Sequence, residues 1–303
     1  MSHIDYTKYR EDYLTTLIKK EISKDKKFLD SDMFFRLNTN KQLDIIKYLT
    51  AVDNINFTSL LENFNLETDD HILLKIASVN NAYRILQYFI QNGMDITVCD
   101  NFAIKAVISN SQMNNHKYTE EIIVMLIENG ADIHVNDDLT LQLSIQYQQL
   151  EHVKILVQYG ANIHNNNLLE IACVCSSSNI LKYLIDCGMT IDTYVTNDII
   201  IAIISSQYDA GIETIKILLT NGVNGSNSDI FHPDVLIRAI KSGSFELVKL
   251  LTDCGADFSV VNNTKIDNCN PLINKMMAYL LTNGVDPVQL AVIAFTACDY
   301  ELV

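Results

Sequence analysis

Apolar residues recur along this chain at helical spacing, and a glycine closes the pattern again and again. The closing glycines are Gly93, Gly130, Gly160, Gly188, Gly222, Gly255 and Gly284. Four residues before them stand Phe89, Leu126, Leu156, Leu184, Leu218, Leu251 and Leu280, and seven before stand Leu86, Ile123, Val153, Leu181, Ile215, Val248 and Met277. Five before come Tyr88, Met125, Ile155, Tyr183, Ile217, Leu250 and Tyr279. These offsets predict one buried face on seven helices. A glycine at the end of each is the residue that takes a left-handed cap without steric penalty. Nine residues before the glycine, Glu121, Glu151, Glu213 and Glu246 mark helix N-termini, where the macrodipole favours negative charge.

A second pattern follows each glycine. Ala131-Asp132-Ile133-His134, Ala161-Asn162-Ile163-His164 and Ala256-Asp257-Phe258 read as an extended turn. Asn and Asp then cluster, as in Asn136-Asp137-Asp138 and Asn165-Asn166-Asn167, as turn formers and helix caps. Asp137 and Asp138 are both read as solvent residues whose charge can be reversed without loss of folding. Another helix comes next, with a large apolar residue and a small one three later: Leu74 with Ala77, Leu141 with Ser144, Leu169 with Ala172, Ile199 with Ala202 and Leu236 with Ala239. The small residues allow close approach of helices. Each unit is therefore turn, helix, loop, helix, glycine.

This arrangement resembles the ankyrin repeat, whose period is about 33 residues. Gly130-Ala-Asp-Ile-His134 and Gly160-Ala-Asn-Ile-His164 resemble its hairpin start. Glu151-His-Val-Lys-Ile-Leu-Val157 and Glu246-Leu-Val-Lys-Leu-Leu-Thr252 resemble its second helix. The resemblance covers about residues 65 to 284 and implies an all-α fold, an ankyrin-type helix–turn–helix solenoid. The departures point to short, irregular hairpin turns. The family's Thr-Pro-Leu-His signature survives only in shapes such as Leu139-Thr-Leu-Gln-Leu-Ser144, so the Thr and His that tie neighbouring hairpins in the family are missing. Gln142, Glu170, Ile200 and Ile237 stand in the His position. Shortened, Ile- and Asn-rich units of this kind resemble the ankyrin proteins of mimivirus-like giant DNA viruses.

Outside the array, Ile4 to Ile22 reads as an amphipathic capping helix. Residues 32 to 51 read as a degenerate repeat, with Asp44-Ile-Ile-Lys-Tyr-Leu49 as its second helix. The expected division is residues 1–64 as cap and degenerate repeat, 65–284 as array and 285–303 as a C-terminal capping helix. Three insertions, at 111–118, 207–211 and 225–232, break the period. Pro233, Pro271 and Pro287 each suit the first turn of a helix. Residues 262–270 form the weakest stretch, and the last repeat is expected to lack a full first helix.

Composition narrows the function classes. The net charge of −15 repels phosphate backbones and anionic membrane surfaces, so neither nucleic acid nor membrane is an expected partner. Lys19, Lys20, Lys24, Lys26 and Lys27 are interrupted by Glu21 and Asp25 and read as a solvated helix face. No apolar run is long enough to cross a bilayer, and the first residues carry no secretory pattern. Seven cysteines at irregular spacing suggest free thiols in a reducing compartment, so an intracellular, cytoplasmic location is expected, in the host if the chain is viral.

No enzyme signature is present: no P-loop, no dinucleotide fingerprint, no His-Glu-x-x-His, no Gly-x-Ser-x-Gly. Cys173 and Cys175 diverge on their helix and are poor joint zinc ligands, while Cys187 and Cys254 read as part-buried repeat-equivalent positions. No cofactor, metal or small-molecule substrate is expected, and the chain is expected to be a monomer. The leading reading is a non-catalytic protein–protein interaction module; the alternatives are a substrate-recognition adaptor of a ubiquitin ligase and an enzyme-associated regulatory subunit. The resemblance and the outward repeat positions nominate His134, Asn136, Asp137, Gln142, Gln146, His164, Asn166, Glu170, Asp192, Ile200, Ile237 and Arg238 as partner-binding residues. Ile200 and Ile237, if exposed, would form an apolar patch. The acidic balance favours a partner with a basic surface.

Overall fold

The protein is described here from a computed structural model, which describes residues 39–54, 61, 66–110, 118–175, 178–191, 193–206, 211–222, 233–262 and 274–298. The expected cap over residues 4–22, most of each insertion, and Pro271 lie outside the described residues. The described residues form helices joined by turns, without strands. They fall into two compact units, 1–162 and 163–303.

Unit 1 contains α1 (Thr39–Ala51), α2 (Thr68–Val79), α3 (Tyr83–Gln91), α4 (Val98–Asn110), α5 (Thr119–Glu128), α6 (Val135–Gln146) and α7 (Leu150–Gln158). The first helices of successive pairs stack on one another, α1 on α2, α2 on α4 and α4 on α6. The second helices do likewise, α3 on α5 and α5 on α7. Helix α1 thus occupies the place of a first helix, which corrects the reading of residues 44–49 as a second helix. Ala51 of α1 packs with Ile76, Val79, Phe102 and Ala106 in one buried cluster.

Unit 2 contains α8 (Asn166–Val174), α9 (Ser178–Asp186), α10 (Thr193–Ser206), α11 (Gly211–Gly222), α12 (Pro233–Ser242), α13 (Phe245–Asp253), the single-turn α14 (Ser259–Asn262), α15 (Asn274–Thr282) and α16 (Pro287–Cys298). Its first helices α8, α10 and α12 stack in turn, as do α9, α11 and α13. Gly211 starts α11 where a Cβ would come within 2.4 Å of Ile203 Cγ2 on α10, so a larger residue there would have to displace Ile203. Pro233 and Pro287 open their helices, where a missing N–H costs nothing.

The glycine register holds. All seven residues at the fourth position before the glycine are fully buried. Each such side chain stabilises its unit by about 1.5–3 kcal/mol relative to exposure. At six of the glycines the cap closes with the same pair of bonds. Around Gly130, whose φ is +99°, Gly130 N–H donates to Ile127 C=O at 3.0 Å and Ala131 N–H to Leu126 C=O at 3.0 Å. That double bond satisfies carbonyls that a helix end otherwise leaves unpaired.

One part of the face was misjudged. The residues five before the glycine are half-buried, apart from the buried Ile217. The third buried position is eight before: Ile85, Ile122, His152, Ile180, Thr214, Leu247 and Met276. Offsets of four, seven and eight lie closer together around a helix than four, five and seven do. His152 and Thr214 break the apolar run at this position and hide it in the sequence.

Candidate functional site

The turns between repeats carry the polar chemistry of unit 1. After Gly93, Gly130, Gly160 and Gly255 the chain runs buried, exposed, buried, as in Ala131, Asp132 and Ile133, without pairing into a hairpin. Then it turns left-handed. Cys99, Asp100 and Asn101 have φ of 55°, 58° and 51°, and Asn136, Asp137 and Asp138 have φ of 54°, 57° and 57°. Asp70 and His71 do the same ahead of the right-handed part of α2. Left-handed residues with a Cβ cost roughly 1–2 kcal/mol each, least for Asn and Asp, whose short side chains bond locally. Five of the six residues in the two fully left-handed turns are Asn or Asp, and the sixth is Cys99.

Side chains hold each turn. Lys75 pairs with Asp70, and Lys105 Nζ reaches Asp100 Oδ2 at 2.7 Å. Both lysines are buried while their carboxylate partners are exposed. Gln142 stands at the same place in its repeat and donates to the Asp137 carbonyl at 2.7 Å. The position that carries His in the family is thus filled in unit 1 by long polar side chains that reach back onto the turn. The sequence held a signal for this, an Asp five residues before a Lys at Asp70 and again at Asp100.

Successive turns are also tied to each other. Asn136 Nδ2 donates to Asp100 Oδ2 at 3.0 Å, and the Cys99 thiol donates to Asp70 Oδ1 at 3.5 Å. The third residue of both fully left-handed turns accepts a backbone N–H from the next repeat, two residues after its glycine. Asn101 accepts from Asp132 at 2.9 Å and Asp138 from Asn162 at 3.3 Å. In unit 2 Asn262 accepts from Asp286 at 2.8 Å. The Lys75 hydrogen bond holds the Asp70 carboxyl below the usual range, with help from Cys99, and the Lys105 hydrogen bond does the same for Asp100, with help from Asn136. Burial pulls the Lys75 ammonium down, but Asp70 and Cys99 outweigh it and leave it above its ordinary value.

A second set of ties runs through the loops between paired helices. Asp53, left-handed at φ 51°, accepts the Ile85 N–H at 3.0 Å, and Asn81 at φ 50° donates to Thr119 Oγ1 at 3.0 Å. Each side chain reaches the N-terminus of the next second helix, and Asp53 there accepts a backbone donor that the helix itself leaves unpaired. Burial pushes the Asp53 carboxyl up although Ile85 and Arg84 draw it down.

The nominated residues separate into three groups. His134, Asn136, Asp137 and Gln146 are exposed in unit 1, and Gln142 is half-buried. His134 Nδ1 lies 2.8 Å from Asp138 Oδ1, and its N–H donates to Asp132 Oδ1 at 2.8 Å. His164, Glu170 and Arg238 are exposed in unit 2, where Arg238 Nη1 donates to Ser205 Oγ at 3.2 Å. The Asn166 side chain and Asp192 lie outside the described residues. Ile200 and Ile237 are both buried, 0% and 7% exposed, so the expected apolar patch does not form. Their helices are packed on neighbours, α10 on α8, α11 and α12, and α12 on α10 and α13. Asp138 is also buried, which overturns its reading as a solvent residue.

Among the described residues no three His, Cys, Asp or Glu side chains are grouped to hold a metal ion, and no helix is long and apolar enough to cross a membrane. Cys173 is buried and its thiol is pushed up to about 12 by that burial. Cys187 and Cys254 are exposed, not part-buried.

Helix pairs closed by a left-handed glycine and stacked first helix on first helix define a helical repeat protein. Residues 103–197 match the family model described as Ankyrin repeats (3 copies), and the chain carries ankyrin repeats. It is similar to ankyrin repeat proteins of Acanthamoeba polyphaga mimivirus. With R601 it is 29% identical over 275 residues, 88% of this chain and 83% of that protein. With R599 it is 24% identical over 242 residues, 77% of this chain, and spans 65% of that protein's length. A crystal structure of the human ASB11 ankyrin repeat domain aligns with a TM-score of 0.42 at 15% identity, covering 80% of this chain and 98% of that one.

Proposed function

We propose that this chain is a non-catalytic recognition module, and that the row of left-handed turns in unit 1 binds a basic segment of a partner protein. Exposed carboxylates in consecutive, mutually bonded turns carry the reading: Asp70, Asp100 and Asp137, with His134 and Asn136 beside them. The clasps to Lys75 and Lys105 fix Asp70 and Asp100 before binding, which lowers the ordering cost of association. The net charge of −15 steers a basic partner toward the chain. His164, Glu170 and Arg238 are exposed positions of unit 2 and are candidates for a separate contact by that unit. The mimivirus relatives support a host or viral protein as the partner, met in the cytoplasm of the infected cell.

Proximity labelling in host cells, followed by titration calorimetry with the purified partner, tests this. Asp137→Lys combined with Asn136→Ala is expected to leave the circular dichroism spectrum intact. It is expected to weaken binding by about tenfold or more, with the loss reduced at high salt. A partner whose affinity ignores both the variant and the salt concentration removes the support for this surface.

A further inference from the structure

Four helices end on the dipeptide Asn-Gly, at Asn92, Asn129, Asn221 and Asn283. Each asparagine folds back on its own helix. Nδ2 donates to the carbonyl four residues earlier, on Tyr88 at 2.8 Å, Met125 at 2.8 Å, Ile217 at 2.9 Å and Tyr279 at 2.8 Å. At three of them the glycine amide is occupied as well. Gly93 donates to Ile90 at 3.0 Å, Gly130 to Ile127 at 3.0 Å and Gly284 to Leu281 at 3.2 Å. The cap does not itself require asparagine, because Tyr159, Cys187 and Cys254 precede Gly160, Gly188 and Gly255.

Asn-Gly is chemically fragile in an open chain. The glycine nitrogen, having lost its proton to solvent, attacks the asparagine Cγ. A C–N bond forms, the bond from Cγ to Nδ2 breaks, and ammonia leaves with a proton taken from water. Water then opens the cyclic imide at either carbonyl and gives aspartate or isoaspartate, with no change in oxidation state. Glycine is the fastest neighbour because no Cβ obstructs the attack.

The folded caps oppose every part of this reaction. The nucleophilic nitrogen has its proton committed to a carbonyl. The leaving amide is held on a different carbonyl, away from the glycine. Asn92 and Asn129 have ψ of 15° and 19°. Ring closure needs the glycine nitrogen eclipsed with Cβ about the Cα–C bond, and at these angles it lies on the far side. The backbone would have to turn through more than a right angle, and that breaks the cap.

We propose that Asn92, Asn129 and Asn283 are latent deamidation sites held shut by the repeat caps, so that opening a cap exposes the chain to an irreversible covalent change. The product cannot remake the side-chain bond to the helix. A carboxylate replaces the amide donor at a helix C-terminus, where negative charge is disfavoured. Isoaspartate also inserts a methylene into the main chain just before the left-handed glycine.

The full chain would be incubated at mildly alkaline pH, folded and in urea, with each site followed by peptide-mapping mass spectrometry and isoaspartate by enzymatic methylation. Deamidation at the three sites is expected to be at least about tenfold slower in the folded chain, since ring closure waits for the cap to open. Leu126→Ala removes a residue fully buried at the cap of α5. It should raise the native rate at Asn129 above that at Asn283, whether it loosens the cap or unfolds the unit. Equal rates in folded and unfolded chain overturn the proposal, as do slow rates in both or an Asn129 rate that ignores Leu126→Ala.

Discussion

The two units build the same repeat with different chemistry. In unit 1 the position after the turn is Lys75, Lys105 and Gln142, each bonded back to a left-handed Asp. In unit 2 the same position is Glu170, Ile200 and Ile237; the two isoleucines are buried by helix packing, and α8 begins on an ordinary cap with Asn165 accepting the Asn167 N–H. A repeat can thus be joined to its neighbour through polar clasps or through apolar contact. Among the described residues the clasped version holds exposed carboxylates in consecutive turns, at Asp70 and Asp100, which is why the candidate site lies in unit 1.

What the units share should be the most fragile. Leu126→Asp in unit 1 and Leu184→Asp in unit 2 each bury an unpaired charge at the same repeat position. Each is expected to cost at least about 4 kcal/mol. Amide hydrogen exchange should show loss of protection first in the unit that carries the substitution. A thermal melt unchanged by either would sink the glycine register.

Exchanging the two chemistries separates the units more sharply. Ile200→Lys introduces an ammonium where unit 2 is apolar, and should destabilise by about 3 kcal/mol. Lys105→Ile leaves behind a carboxylate that is already exposed, and should change stability by less than about 1 kcal/mol. Urea denaturation of both variants measures the asymmetry, and equal losses would remove the distinction drawn here.

Acid should also distinguish the units. His152 in α7 is 4% exposed, its Nδ1 is enclosed without a hydrogen-bond partner among the described residues, and burial pushes the imidazole down to about 4. In an unfolded chain the ring titrates near 6.5, so the unfolded state binds more protons between these values and stability falls as pH drops from about 6.5 to about 4. The loss reaches up to about 3 kcal/mol and is complete below that window. The equivalent residues in unit 2 are Ile180, Thr214, Leu247 and Met276, none of which titrates. Hydrogen exchange at pH 7.5 and 5 should show unit 1 loosening more than unit 2, and His152→Val should abolish the difference.

The smallest effects concern single rungs between turns. Asn101→Ala removes the acceptor for the Asp132 N–H and should cost about 1 kcal/mol. His71 takes the third turn position one repeat earlier, with its Nδ1 enclosed and unpaired among the described residues. His71→Asn would offer an amide oxygen toward the corresponding Asp95 N–H and should raise the melting temperature. A decrease there would show that the rungs are not equivalent from repeat to repeat.

Much of the fold was legible because it is periodic. Seven glycines in register with a buried residue four before fix helix ends and faces without knowledge of any partner helix. The candidate site was legible in part. His134, Asn136 and Asp137 belong to an exposed turn, and Asn and Asp announce a turn of some kind. They do not announce its handedness, since the same residues serve as ordinary caps, as Asn165 does in unit 2. Lys75 and Lys105 were passed over because lysine usually lies at the surface, and only the carboxylate five residues earlier explains its burial.

The amino-acid sequence by itself determined the repeat, its glycine register and the acidic balance, because helical period and backbone permissiveness are local properties. The tertiary structure decided which residues of that pattern are available. It buried Ile200, Ile237 and Asp138, made His152 part of a core, and joined consecutive turns through Asn101 and Asn136. Burial and pairing depend on the helix stacked alongside, and that neighbour lies about one repeat away in the chain.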